Sequence, residues 1–225
     1  MSALLSGLRR LLFTLLFPQE VSCHLCERAT DRDGSILCPV CRAALQTVRI
    51  PSLDSFSRHE PLSACVSAYY HSGEAQRLCH LLKYRWDAAA AHPLGEGMAE
   101  ALALSGLTRE LDGVAPVPVH PMRLRERGYN QAALLARAVC NHTGLALWEN
   151  ALIRTRHSAS QLSRSREERL TALIGAFKAD SSQVAGKCVL LIDDVLTTGA
   201  SASSCAQALL EAGATRVYLL TACRA

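Results

Sequence analysis

The sequence predicts an α/β fold, a mostly parallel sheet flanked by helices, with a small cysteine-rich unit in front of it. Three observations carry that expectation. Lys187-Cys188-Val189-Leu190-Leu191-Ile192 is a continuous apolar run of strand length, the kind that is covered on both faces in a parallel sheet. From Ala64 onward, strand-like and helix-like apolar patterns alternate, an order that builds parallel sheets with right-handed crossovers. Cys23-His24-Leu25-Cys26 and Cys38-Pro39-Val40-Cys41 are two C-x-x-C pairs eleven residues apart. The totals agree: 225 residues with 49% hydrophobic and 20% charged side chains exclude a disordered polymer. They allow one large domain, or a medium one with a small companion. A net charge of +4 suits anionic ligands and is too weak to indicate nucleic acid by itself.

Residues 1–20 are expected to form an amphipathic helix. Arg9 and Arg10 precede an apolar run, Leu11–Phe17, that is short for an export signal, and Pro18-Gln19-Glu20 is no small-residue cleavage site. The helix docks on the protein body in this reading. Peripheral membrane contact is the competing one, for which two arginines supply little attraction. No stretch approaches the ~20 apolar residues of a membrane span. The expectation is a cytoplasmic protein whose thiols stay reduced.

Residues 21–60 read as a zinc ribbon and linker. Zn²⁺ takes four tetrahedral ligands, and Cys23, Cys26, Cys38 and Cys41 supply four thiolates from two tight turns. Ala29–Ser35, with Asp31, Asp33 and Gly34, reads as a hairpin tip. The alternative, two redox dithiols, lacks a thioredoxin-like βαβ pattern around either pair. His24 is a spare side chain inside the first turn. The other cysteines, Cys65, Cys79, Cys140, Cys188, Cys205 and Cys223, lie among Ala, Val and Leu and read as small buried hydrophobes. After Leu45 the periodicity is lost through Pro51, Ser52, Ser55, Ser57 and Pro61.

The main domain is expected over 61–225. Val66–Tyr70 reads as a strand, and Glu74–Lys83 as a helix with Ala75, Leu78, Leu81 and Leu82 on one face. A second helix is expected around Pro93–Ser105, stopping before Gly106. Asp112–Val119 reads as a short buried strand running into a proline-stiffened loop. Asn130–His142 is a helix closed by Gly144. After the Lys187–Ile192 strand come a helix over Ser201–Glu211, stopping at Gly213, and a strand over Arg216–Thr221.

Ile192-Asp193-Asp194-Val195-Leu196-Thr197-Thr198-Gly199-Ala200-Ser201 carries the most chemistry. Two carboxylates leave the carboxyl end of a buried strand, where open α/β sheets bind ligands. The small residues that follow let backbone N–H groups approach a phosphate, the hydroxyls donate to its oxygens, and a helix N-terminus adds positive potential. The plain alternative is a helix capped by Ser201. It does not explain two adjacent acids, which repel unless a cation or hydroxyls use them.

This stretch resembles the phosphoribosyl-pyrophosphate (PRPP) motif of type I phosphoribosyltransferases: apolar strand, two acids, a spacer, then Thr-Thr-Gly. A four-cysteine ribbon, Leu82-Lys83-Tyr84, Pro116-Val117-Pro118, Arg127-Gly128-Tyr129-Asn130-Gln131 and the Asp-Asp-Val-Leu-Thr-Thr-Gly loop follow one another in that order. Together they resemble the competence protein F (ComF) family over nearly the whole chain. The resemblance implies a type I phosphoribosyltransferase-like fold and a role in bacterial DNA uptake or the use of DNA as a nutrient. It implies that Asp193 and Asp194 meet the ribose hydroxyls with Mg²⁺, and that Thr197, Thr198, Gly199, Ala200 and Ser201 hold the 5′-phosphate. It makes Val117, Pro118 and His120 the pyrophosphate loop. Arg123, Arg125 and Arg127 would follow that loop, with a solvated basic face as the alternative. Arg154–Phe177 would be the mobile loop that closes over PRPP, with Arg164 and Arg169 among its cations. Lys83 and Tyr84 fit the family pattern without an evident partner, and a lysine packing its stem at a helix end is the alternative.

Two function classes follow. One is a zinc-containing phosphoribosyltransferase-type protein that binds PRPP, with the acceptor open and turnover undecided. The other is a non-catalytic assembly protein for DNA import that binds single-stranded DNA or other uptake proteins. The sequence lacks the interleaved aromatics of a base-stacking platform, so the first is preferred. Related transferases often pair, and the N-terminal helix offers an apolar face, so a homo-oligomer is a candidate partner state.

Overall fold

A computed structural model describes residues 22–30, 35–50, 53–54, 60–155 and 175–225. The helix expected over 1–20 and the candidate cations Arg164 and Arg169 lie outside the described residues. The chain divides into two units, Met1–Gln46 and Thr47–Ala225.

In the first unit an antiparallel bridge joins Ser22 to Ala29. The turn between them closes through the Cys23 N–H donating to the Arg28 carbonyl at 2.7 Å and the Glu27 N–H to the Cys23 carbonyl at 2.8 Å. The His24 N–H reaches the Ile36 carbonyl at 2.9 Å, which brings the second cysteine pair alongside the first. That second pair is not in a tight turn of its own but at a helix start, and the hairpin tip expected over Ala29–Ser35 falls mostly outside the described residues. Cys38 stands directly before α1 (Pro39–Gln46), and Cys41 lies in its first turn. Pro39 at the first helical position is the sequence signal for this start, because its missing N–H has no intrahelical partner to lose.

The second unit is built on a six-stranded sheet. Its strands are β1 (Leu53–Asp54), β2 (Ala64–Tyr70), β3 (Gly113–Pro116), β4 (Ala146–Leu147), β7 (Cys188–Leu196) and β8 (Arg216–Arg224), in the order β1-β2-β8-β7-β3-β4. All neighbours are parallel except the edge pair β1 and β2. The expected mostly parallel sheet flanked by helices is therefore present. The segment that reads as a linker contributes β1, and the Ile50 N–H bonds the Ala68 carbonyl at 2.8 Å.

Helices α2 (Gly73–Tyr84), α3 (Ala91–Ser105), α4 (Pro121–Arg127), α5 (Gln131–Thr143), α6 (Ser181–Val184) and α7 (Ala200–Glu211) connect and cover the strands. Val189, Leu190, Leu191 and Ile192 are all fully buried, as their unbroken apolar run predicts. α3 packs on β2 and β8, α5 packs on β7 and β3, and the two helices pack on each other. Contact between α3 and β2 is close: a Cβ at Gly97 would overlap the phenol of buried Tyr69. α7 joins Val189, Leu191, Val217 and Leu219 in one apolar cluster.

The structure departs from expectation in three places. β7 runs on through Asp193 and Asp194 to Leu196, and β8 through to Arg224, because the two strands pair in register from Cys188↔Arg216 to Leu196↔Arg224. The apolar run marks only the buried part of that ladder. Pro121–Arg127, which follows the expected loop and for which the sequence pattern gives no element, is a helix. His120 caps it through Nδ1, Pro121 opens it, and Gly128 ends it in the left-handed conformation at φ 77°. Finally, β5 (Leu152–Arg154) and β6 (Phe177–Ala179) pair antiparallel, Arg154 opposite Phe177, at the two ends of the segment expected to form a lid. Among the described residues no helix is long and apolar enough to cross a membrane.

Candidate functional site

β7 delivers Asp193 and Asp194 just past its last fully buried residue, Ile192. Both aspartates are half-buried. The Asp194 N–H donates to Asp193 Oδ1 at 2.8 Å, so the backbone turns one carboxylate back on the strand. Burial, and then the neighbouring Asp194 carboxylate, push the Asp193 carboxyl up to about 7, against the opposing pull of the Asp194 N–H and of Lys83.

Lys83 supplies the cation that this pair of acids needs. Its Nζ lies 2.9 Å from Asp194 Oδ1. Burial disfavours the ammonium, but Asp194, with a smaller contribution from Asp193, more than offsets it and holds the lysine above its ordinary range. Lys83 is thus charged and fixed on Asp194. The end of α2 that carries it is tied down in turn, because Tyr129 Oη donates to the Leu82 carbonyl at 2.9 Å. Leu82-Lys83-Tyr84 and Arg127–Gln131, separate in sequence, therefore meet at one corner of the sheet. Nothing in their spacing signals this.

The loop after the acids opens α7. Gly199 occupies the N-cap position with φ 74°, a left-handed conformation that costs other residues about 1–2 kcal/mol. No side chain caps this helix, so Ser201 is not the cap of the plain alternative. The Ala200 N–H lies 3.5 Å from Thr198 Oγ1. Asp193, Thr197, Thr198, Gly199, Ala200 and Ser201 line one small concavity together with Thr221. Thr221 is the register partner of Asp193 on β8, and its hydroxyl bonds Ser67 on β2 at 2.8 Å. Uncapped N–H groups, hydroxyls and a helix N-terminus around one hollow have the chemistry to accept an anionic oxygen cluster.

Val117 stands beside this hollow through the backbone: its N–H donates to the Ile192 carbonyl at 2.9 Å. Asn130 Nδ2 donates to the Val117 carbonyl at 3.0 Å while its Oδ1 caps α5. Pro118 and His120 are half-buried, with His120 Nδ1 accepting from the Met122 N–H at 3.2 Å. The arginines do not form one row. On a helix, positions two apart point to different sides, so Arg123 and Arg127 share a side of α4 and Arg125 leaves it. The Arg127 guanidinium lies 5.7 Å from the Tyr84 ring centroid. Arg123 lies near enough to Arg154 to add to the lowering of its pKa that burial begins.

Cys23, Cys26, Cys38 and Cys41 converge, with their sulfur atoms all within 4.8 Å of one another. A tetrahedral ion at ~2.3 Å from each sulfur needs sulfurs about 3.8 Å apart, and Cys26 and Cys38 are at 3.5 Å. Burial and hydrogen bonds from its neighbours push the Cys41 thiol up. Burial also opposes ionisation of Cys23, but the backbone N–H groups of Cys38, Leu25 and Cys26 carry it down to about 6. A packed set of thiols, one already inclined to ionise, can hold a metal ion such as zinc.

No protein-family model matches the chain. Among curated proteins it is 29% identical over 205 residues to the DNA utilization protein YhgH of Escherichia coli (strain K12), covering 90% of this chain and 89% of the relative. It is 26% identical over 205 residues to the competence protein ComFC of Bacillus subtilis (strain 168), covering 88% of this chain and 82% of the relative. These relatives bear out the family resemblance read from the sequence. Among solved structures it aligns with the glutamine PRPP amidotransferase from B. subtilis at a TM-score of 0.42 and 25% identity, over 61% of this chain and 26% of that one.

Proposed function

We propose that this homologue of YhgH and ComFC binds PRPP with Mg²⁺ at the carboxyl edge of its sheet, and that it serves the DNA uptake or utilization that those relatives' names describe. One observation carries the reading: Asp193 shares a single hollow with the uncapped start of α7, while its neighbour Asp194 is held by Lys83. The first requirement of a phosphoribosyl ligand is two hydrogen-bond acceptors for its ribose diol. The second is a cradle of N–H and hydroxyl donors for its 5′-phosphate.

In this reading Asp193 and Asp194 accept from the ribose hydroxyls and offer carboxylate oxygens to Mg²⁺, which neutralises charge on the pyrophosphate. Lys83 is a positioning residue that holds Asp194 in place through their ion pair. Thr197–Ser201 receive the 5′-phosphate, and the turn from Val117 to His120, with Arg123, faces the pyrophosphate. Such a site supports displacement of pyrophosphate from ribose carbon 1, where fixed donors stabilise the departing charge. The four cysteines hold one structural Zn²⁺.

Calorimetry tests the reading. PRPP with Mg²⁺ is expected to bind the native protein, and replacing both Asp193 and Asp194 by alanine is expected to abolish binding. Absent binding to the native protein, or binding that survives the double substitution, overturns it.

A second reading, a single-stranded DNA-binding protein without turnover, is favoured by a different observation. Tyr84 and Trp86 are 57% and 65% exposed, and they stand against α4, Tyr84 under Arg127 and Trp86 with its indole N–H on the Glu126 carbonyl at 3.2 Å. Tyr84 and Trp86 flank Arg85 in the sequence, and the fold adds the distant Arg127 to them, a mixture of aromatic and cationic side chains that suits base stacking. In this reading, fluorescence anisotropy with a labelled oligonucleotide shows binding that weakens steeply with salt and is lost in Trp86→Ala. Binding that is absent or indifferent to salt removes this reading.

A further inference from the structure

Gln131 closes the Arg127–Gln131 motif, and the reading above gives it no task. It is only 4% exposed, and its Nε2 has no hydrogen-bond acceptor among the described residues. A buried amide donor without an acceptor is costly, and such groups are rare in folded proteins. Packing does not call for it. Gln131 begins the buried stripe of α5, whose other members are Ala132, Leu135, Ala136 and Val139. An apolar residue would continue that stripe without leaving a polar atom unsatisfied.

The position of the residue points to what the donor serves. α5 packs on β3 and β7, and a helix that returns from a parallel strand begins at the carboxyl edge of the sheet. The adjacent residue, Asn130, is bonded to the Val117 carbonyl, and the Val117 N–H is bonded to Ile192, the residue before Asp193. The start of α5 is thereby pinned to the turn that faces the pyrophosphate. The unsatisfied atom is a donor, so its partner is an acceptor atom, and the described residues supply none.

We propose that Gln131 is a ligand-binding residue whose Nε2–H donates to a pyrophosphate oxygen of bound PRPP. This inference rests on the phosphoribosyl reading of the site. Its test is the ratio of affinities for PRPP and for ribose 5-phosphate, both with Mg²⁺, in the native protein and in Gln131→Met. Both ligands carry the ribose and the 5′-phosphate, and only PRPP carries the pyrophosphate. Losing one hydrogen bond to an anionic oxygen is expected to lower that ratio about tenfold or more. The melting temperature without ligand should hold or rise, because the methionine leaves no buried donor unsatisfied.

A ratio unchanged in Gln131→Met, or a lower melting temperature with unchanged affinities, makes Gln131 structural and overturns the inference while the phosphoribosyl reading stands. A native protein that binds neither ligand overturns the reading itself. Gln131→Ala gives a second measurement of the ratio if the methionine variant does not fold.

Discussion

Stripping the metal from the four-cysteine cluster is expected to unfold the segment from Cys23 to Gln46. Its described backbone contacts are few: one bridge, a turn, and a two-turn helix. Leu25, Leu37 and Leu45 are its buried leucines. So small a core does not hold a fold without a staple. Structural zinc in small metal-folded peptides contributes an apparent ~10–16 kcal/mol at neutral pH, and where no site exists in the unfolded chain that binding energy is folding energy. Untagged protein is expected to contain about one zinc per chain, and Cys41→Ser to lose it. Hydrogen exchange at the α1 amides reads the unfolding directly. Metal analysis that finds no zinc in protein grown with ample metal would refute the assignment, and retained α1 protection after chelation would refute the coupling to folding.

Asp193→Asn is expected to stabilise the protein at pH 8 and to abolish PRPP binding. The Asp193 carboxyl rises from an ordinary 3.8 to about 7 in the folded protein. Between those values the folded state holds a proton that the unfolded state has released. This group therefore takes stability away as pH rises from about 4 to about 7, and above 7 the full penalty applies. A shift of that size corresponds to something on the order of 4 kcal/mol. Asparagine keeps the Oδ1 that accepts from the Asp194 N–H and removes the charge that burial and Asp194 oppose. Denaturation midpoints of the two proteins should converge near pH 4 and separate at pH 8, with the variant the more stable. A variant less stable at pH 8, or a difference independent of pH, contradicts this account of the site. The same titration predicts that PRPP affinity falls as pH drops below about 7, because the ribose needs an ionised acceptor.

Stability and function are opposed at two residues of this corner. Asp193 holds a carboxylate where burial resists it, and Gln131 holds a donor where packing would prefer an apolar chain. Each is costly to the free protein, and in the proposed reading each is satisfied by the bound ligand.

What the sequence determines by itself is everything carried by contiguous residues. The apolar run from Val189 to Ile192 dictates a central strand. The two C-x-x-C pairs dictate a thiol cluster. Asp193 to Ser201 dictates acids, then hydroxyls, then a helix start, because those groups are within one turn of chain of each other and backbone geometry leaves them little choice. The extent of β7 and β8 was not legible, because ladder hydrogen bonds continue where apolarity stops. α4 was legible in principle from its cap, its proline and its glycine, yet its arginines at alternate positions mask the helical period. The partnership of Lys83 with Asp194, of Thr221 with Asp193, of Arg127 with Tyr84, and the burial of Gln131 were decided by the tertiary structure alone. Each joins residues from different elements, and only strand register and the docking of helices on the sheet bring them within reach. The local spacing of side chains fixes which chemistry a segment can offer; the crossover connections fix which segments share it.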